Sequence, residues 1–376
     1  MPGSALLALA VVLCLVLGAV VVWLVLTDPG ERGRGRHAAR PHRRSFRRGV
    51  GGEDEPVPTQ RAAVIINPTK VAEVAAVRRQ LTAASTAAGW AEPLFYETTV
   101  EDPGTGQARL AIDAGADLVC PLGGDGTIRA VAVALAGTRI PMGMLPRGTG
   151  NLLARNLDVP FGDVEESFRV ACSGRNRAID VAWLELDPVA EVEADDEGQA
   201  EEPVTGPPVE RHPFLVMAGM GFDAEIMGGT SEELKSSVGW TAYFVTGMRK
   251  LFGGRFQVRW TVDGQAQKQV AARTIVFGNC GILTGGIVLM PQAQLDDGLL
   301  DCVVVSPKTI FGWGALAGRV LSRSEKDMTQ IVRRTGSEFT VEVDDAHPVQ
   351  VDGDVIGEAH RLRVTVDKQA LIVRVR

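Results

Sequence analysis

Cysteine is scarce, and its pattern excludes two chemistries. Five Cys in 376 residues (Cys14, Cys120, Cys172, Cys280, Cys302), odd in number and without a C-x-x-C pair, leave no disulfide framework and no thiolate zinc site, and fit a reducing compartment. Aromatic residues are only 5% of the chain, yet 45% of it is apolar, too much for a disordered protein. No internal repeat is detectable. The length exceeds one ordinary domain and predicts two packed domains of roughly 100 to 200 residues each.

A shortage of positive charge is only apparent. The formal net charge is -7, but residues 1–48 hold eight Arg against two acids, so a +6 head precedes a body of -13. Residues 5–26 are 22 positions without a charge, rich in Leu and Val, and a helix of that length spans a bilayer core of about 30 Å. A cleavable signal peptide would have a charged n-region, a shorter apolar core and a small-residue cleavage site, so a transmembrane anchor is expected. Arg32, Arg34, Arg36, Arg40, Arg43, Arg44, Arg47 and Arg48 follow directly and place the rest of the chain in the cytoplasm. The same Arg run is suited to anionic lipid, at about 1 kcal/mol per basic residue near the surface. Residues 27–60 form a basic linker ending in a Gly, Glu and Pro stretch, and the folded part is expected from residue 61.

Short apolar strands at 62–66, 94–98, 118–122 and 140–145 alternate with helical patterns at 71–88, 107–114, 127–136 and from 151. That alternation predicts a parallel sheet covered on both faces, with ligand loops at the carboxyl ends of its strands, over residues 61–176. From 177 to 376 β-branched alternation takes over, at 178–186, 214–218, 256–262, 272–277, 299–305 and in several segments between 330 and 375. A mostly antiparallel β domain is expected there, interrupted by helical stretches at 232–251 and 310–321. Residues 187–210 carry nine acids and no Lys or Arg and are expected as a solvated loop.

Two glycine loops carry the chemistry. Gly123-Gly124-Asp125-Gly126-Thr127 follows a strand and opens a helix with Ile128, Val131, Ala132 and Leu135 on one face; glycines allow close backbone approach, and a helix N-terminus offers N–H groups to phosphate. Pro146-Arg147-Gly148-Thr149-Gly150-Asn151 repeats the arrangement after the next strand. Two adjacent polyanion cradles suit a nucleoside triphosphate. Neither loop matches the P-loop or the dinucleotide fingerprint.

With Asn67-Pro68, residues 219–224, residues 291–301 and Asp352-Gly353-Asp354 in the same order, the chain resembles the diacylglycerol kinase catalytic family of bacterial lipid kinases, related to sphingosine kinases, over residues 61–376. The resemblance implies an α/β fold of the two-domain NAD kinase/diacylglycerol kinase-like type. It implies ATP held by Asn67, Thr98 or its neighbour Thr99, Gly123, Gly124, Asp125, Gly126, Thr127, Gly148, Thr149 and Asn151, with Asp125 acting on the phosphates directly or through Mg²⁺. It also implies a structural Mg²⁺ held by the Asp297 side chain and carbonyls of Gln294 and Leu299, an oxygen set that suits a hard cation. Asp354 falls at the general base, with Asp223, Asp352 and Glu358 as other candidates, since the family's D-G-E reads D-G-D here and reaches one methylene less far. Leu152 stands where an acid is usual, and Thr69 and Lys70 where small residues are.

The expectation is an ATP-dependent lipid kinase of phospholipid metabolism, phosphorylating a membrane lipid alcohol such as diacylglycerol, tethered beside its substrate by the anchor. Trp240, Tyr243, Phe244, Met248 and Leu251 border a lipid groove or pack as ordinary core. The competing readings are a NAD or sugar kinase with the same G-G-D-G-T loop and a catalytically silent nucleotide or lipid sensor. The expected partners are the lipid substrate and the anionic bilayer, with no nucleic acid; a homodimer is left open.

Overall fold

Residues 62–66 are apolar and wholly buried, and they form an interior strand of the first sheet. The computed structural model describes residues 60–148, 150–188, 210–221, 255–282, 290–306 and 331–376. The expected membrane segment, the basic linker before residue 60, nearly all of the acidic stretch and the helical stretches at 232–251 and 310–321 lie outside them. Among the described residues no helix is long and apolar enough to cross a membrane.

The first layer system runs β1 (Ala62–Ile66), a 3-10 turn at Pro68–Lys70, α1 (Val74–Ala87), β2 (Leu94–Glu97), α2 (Thr105–Asp113), β3 (Leu118–Gly123), α3 (Asp125–Leu135), β4 (Leu145–Pro146), α4 (Leu152–Asn156) and α5 (Val164–Ser173). The four strands are parallel in the order β2-β1-β3-β4. Both faces are covered, as continuous apolar strands require: Leu81 of α1 and Phe168 of α5 pack on one side, and Ala108 of α2 with Ile128, Val131 and Leu135 of α3 on the other. Helix α5 is not anticipated by the elements read from the sequence. Its start signal is present, since the Asp163 carboxylate accepts from Glu165 N and Glu166 N, a conventional N-cap.

Strand β4 is shorter than the apolar run at 140–145 suggests. Met142 bridges Val119 of β3 on one side, and on the other its N–H donates to Ile372 O at 2.8 Å and its carbonyl accepts from Arg374 N at 2.9 Å. The C-terminal strand thereby reaches back to the first sheet.

The second system is antiparallel throughout. It contains β5 (Arg175–Leu186), β6 (Arg211–Phe214), β7 (Met217–Gly221), β8 (Phe256–Val262), β9 (Gln265–Ala266), β10 (Val270–Ala272), β11 (Thr274–Gly278), β12 (Leu300–Val305), β13 (Ile331–Gly336), β14 (Glu338–Val351) and β15 (Asp354–Val375). Its main path is β13-β12-β11-β7-β14-β15-β5-β6. Strand β14 changes partner along its length, pairing β8 at Phe339–Glu342 and β7 at Val349–Val351, with a register shift between them. The sheet folds over at that irregularity and encloses Phe214, Phe277, Phe339, Leu362 and Val364, with the Phe277 and Phe339 rings 5.4 Å apart. Because β15 is 22 residues long, one strand carries both the hairpin Asp352-Gly353 at its start and the contact with Met142 near its end. All described residues lie in a single compact unit, Pro56–Arg376.

Candidate functional site

Four loops converge at the carboxyl edge of the parallel sheet. After β1, Asn67 caps the 3-10 turn by accepting from Thr69 N at 3.0 Å and Thr69 Oγ1 at 2.7 Å, while its Nδ2 donates to Thr127 Oγ1 at 3.2 Å. After β2, Thr98 is buried with its N–H on Ile66 O at 2.9 Å. Thr99 is exposed and closes a turn with Asp102, so of the two threonines Thr98 lines the sheet edge beside Asn67.

The two glycine loops touch. A Cβ on Gly148 would lie 2.7 Å from Gly124 Cα, so a side chain there forces the loops apart. The Asp125 carboxylate ties them: Oδ2 accepts from Asn151 N and Oδ1 from Leu152 N, each at 2.7 Å. Its carboxylate therefore caps the second loop's helix instead of standing free toward the phosphates, and two of that helix's N–H groups are taken. Asn151, buried at φ 45°, exchanges side-chain hydrogen bonds with the backbone of Gly148. Helix α3 has no side-chain cap, and a Cβ on Gly126 would meet nothing within 4 Å. Of the two expected cradles, the G-G-D-G-T helix is the one whose N-terminus no side chain caps, the kind of helix end that suits an anion. Thr149 lies outside the described residues.

Opposite α3 stands the Asp352-Gly353 turn. Both residues have positive φ, 47° and 95°, the conformation a two-residue hairpin demands. The buried Asp352 carboxylate accepts from Leu215 N, Val216 N and Met217 N at 3.0, 2.9 and 3.0 Å. Burial pushes its carboxyl above the usual range, against the opposing pull of Arg129 and the three N–H groups. These contacts make Asp352 a brace of the hairpin. Asp354, the first residue of β15, keeps 62% of its side chain exposed and pairs with Arg129 Nη2 at 2.5 Å. Glu358 is exposed four residues along the strand, roughly 13 Å away at strand spacing, and Asp223 lies outside the described residues. Of the three described carboxylates considered for the base, Asp354 combines exposure with a place beside the G-G-D-G-T helix.

A second acidic region follows β11. A cavity of 450 Å³ is lined by Pro291, Gln292, Ala293, Gln294, Asp297, Asp301 and Thr335. Asp297 Oδ1 accepts from Leu299 N at 2.9 Å, and Asp301 accepts from Thr335 Oγ1 at 2.8 Å. Burial, with Asp297 nearby, raises the Asp301 carboxyl. Of the expected Mg²⁺ ligands, Gln294 and Asp297 line this cavity and Leu299 does not; carboxylate and amide oxygens are the donor type a hard cation takes.

The loop is anchored by Asp180, which sequence reasoning passed over. Buried in β5, it accepts from Gly298 N at 2.7 Å and Gln369 N at 2.6 Å, and its own N–H donates to Leu295 O at 2.6 Å. Its signal was a lone acid inside the apolar run Ala178-Ile179-Asp180-Val181-Ala182. Asp180→Asn leaves one of two N–H groups without a carboxylate oxygen. The Mg²⁺ concentration giving half-maximal activity should rise about tenfold, by analogy with other residues that orient metal ligands; an unchanged Mg²⁺ titration removes Asp180 from this role.

The parallel α/β sheet followed by the antiparallel system is the two-domain architecture of the diacylglycerol kinase and NAD kinase-like fold. Residues 61–184 match the model of the diacylglycerol kinase catalytic domain, and residues 216–375 that of the YegS C-terminal NAD kinase beta sandwich-like domain. The chain is 32% identical over 292 residues, 74% of its length and 84% of the other's, to the Pseudomonas aeruginosa protein named "Probable lipid kinase YegS-like". It therefore belongs to the diacylglycerol kinase catalytic family, an enzyme family of lipid kinases, and carries its kinase domain. A diacylglycerol kinase of Mycobacterium tuberculosis is 30% identical over 193 residues, 51% of this chain and 55% of that one. An uncharacterized Synechocystis protein is 28% identical over 65% of this chain and 51% of its own length. The chain thus spans about half the length of these two relatives. A crystal structure of a diacylglycerol kinase from Bacillus anthracis superposes with a TM-score of 0.60 at 19% identity, over 84% of this chain and 97% of that one, which shows the shared fold.

Proposed function

We propose that the protein is an ATP-dependent kinase that phosphorylates the hydroxyl of a membrane lipid, most simply diacylglycerol, at the cytoplasmic face of the membrane. The observation that carries this reading is the exposed Asp354 carboxylate, held beside the helix whose N-terminus no side chain caps. Phosphoryl transfer requires little of a protein beyond positioning, charge stabilisation and a group to take the acceptor's proton. Backbone N–H groups at Gly126 and Thr127 would hold the phosphates, Asn67 and Thr98 the nucleotide side of the edge, and Asp354 would accept the proton of the attacking hydroxyl. Mg²⁺ bound with ATP would neutralise charge on the transferring phosphoryl group, and a second ion at Gln294, Asp297 and Leu299 would order the loop they share.

The uncharged residues 5–26 and the eight Arg that follow support a single-pass anchor with the kinase on the cytoplasmic side. The Pseudomonas and Mycobacterium relatives' names support a lipid acceptor. Full-length protein in vesicles containing anionic lipid, given labelled ATP and separately diacylglycerol, ceramide, a sphingoid base, undecaprenol or NAD, should transfer label to a lipid. Label in NAD alone rejects the lipid reading, and label nowhere, with ATP bound, favours the sensor.

A further inference from the structure

Arg129 has no part in the motif series, yet it is where the nucleotide loop meets the hairpin. It lies one helical turn after Asp125 on α3, so its Cα is rigidly placed relative to the G-G-D-G-T loop. Its side chain is 17% exposed and spans the turn: Nη1 donates to Val351 O at 2.9 Å and stands 4.0 Å from Asp352 Oδ2, while Nη2 binds Asp354 Oδ2 at 2.5 Å. A planar guanidinium with fixed donors can hold these three positions at once, which the point charge of a lysine does not. Among the described residues, Arg129 donates to the Asp354 carboxylate.

We propose that Arg129 is a positioning residue for the acceptor-activating carboxylate, fixing Asp354 in register with the phosphate-binding helix. The inference rests on Asp354 being the base. A mostly exposed Asp would otherwise rotate among its staggered rotamers, and small displacements of a reacting group are costly, a 1 Å error reaching about 10²-fold. Asp352 braces the turn from the β7 side through three N–H groups, and Arg129 braces it from the helix side. With the shorter Asp in place of Glu, reach comes from where the turn is held. The hydroxyl proton passes to Asp354.

A double-mutant cycle in the full-length protein separates positioning from bulk stability. With ATP and dioleoylglycerol in anionic vesicles, Arg129→Gln should lower kcat some tens of fold, leave KM for ATP within about twofold, and recover in part with added methylguanidine; Arg129→Lys should rescue incompletely. In an Asp354→Asn background, Arg129→Gln should change the residual rate less than about twofold, since the residue it aims is gone. Amide hydrogen exchange, which needs no acceptor, should quicken at residues 351–355 in Arg129→Gln while 215–217 stay protected. Equal fractional loss in both backgrounds, or unchanged exchange at the turn, overturns the proposal. Full turnover by Asp354→Asn instead removes the base assignment, an outcome distinct from failure of Arg129 alone.

Discussion

Asp354→Asn should lower kcat by about 10²- to 10⁴-fold, the range a positioned general base contributes, while ATP binding persists. The amide keeps the size of the side chain and still accepts a hydrogen bond from Arg129, so the hairpin stays in place. What disappears is the ability to take a proton. Single-turnover transfer to the lipid separates this loss from slow product release, and isothermal titration with ATP reports whether the nucleotide edge is intact. Turnover within threefold of the parent would show that the proton goes elsewhere. Asp354→Glu is a useful companion: it restores the methylene by which D-G-D falls short of D-G-E, and it should retain most of the rate if the backbone leaves room for it.

Asp125→Ala should weaken ATP binding by about 100-fold, for a reason the motif alone does not suggest. Both carboxylate oxygens accept N–H bonds from Asn151 and Leu152 at 2.7 Å. Hydrogen bonds to a charged group are worth roughly 1.5–3 kcal/mol, and a donor left unpaired adds its own desolvation cost; about 3 kcal/mol is about two decades in affinity. The loss should be the same with and without Mg²⁺, because Asp125 joins the two glycine loops to each other. If ATP binding without Mg²⁺ is unaffected and only the metal-dependent part falls, Asp125 acts through the ion, one of the two roles that the family resemblance implies. Asp125→Asn, with one carbonyl oxygen for two N–H groups, should fall between parent and Ala.

The alternating α/β half was legible because its strands are continuous apolar runs between glycine loops: 62–66 was read with its observed bounds, and 94–98 and 118–122 within one residue at an end. The run at 140–145 enters the sheet in two pieces: Met142 bridges both Val119 of β3 and Val373 of β15, and β4 itself is Leu145–Pro146; a partner more than 200 residues away is not legible in the sequence. Helix α5 was missed although Asp163 and the spacing of Val164, Phe168, Ala171 and Cys172 were visible.

For the site, one-dimensional order sufficed to collect the loops, because a parallel sheet places every strand's carboxyl end on one edge. Asn67, Thr98, Gly124 and Gly148 meet there in the fold. Local sequence also determined the Asp352-Gly353 turn, since few other dipeptides accept two positive φ angles at low cost. Tertiary structure alone decided the division of labour among the carboxylates. Asp125 caps a neighbouring helix, Asp352 is buried under three N–H groups, Asp180 ties down the loop at 295–299, and Asp354 is left exposed beside Arg129. The side chains are chemically alike, and what each can do depends on which donors and how much water the fold leaves it; those partners lie 26 to 225 positions away in the chain.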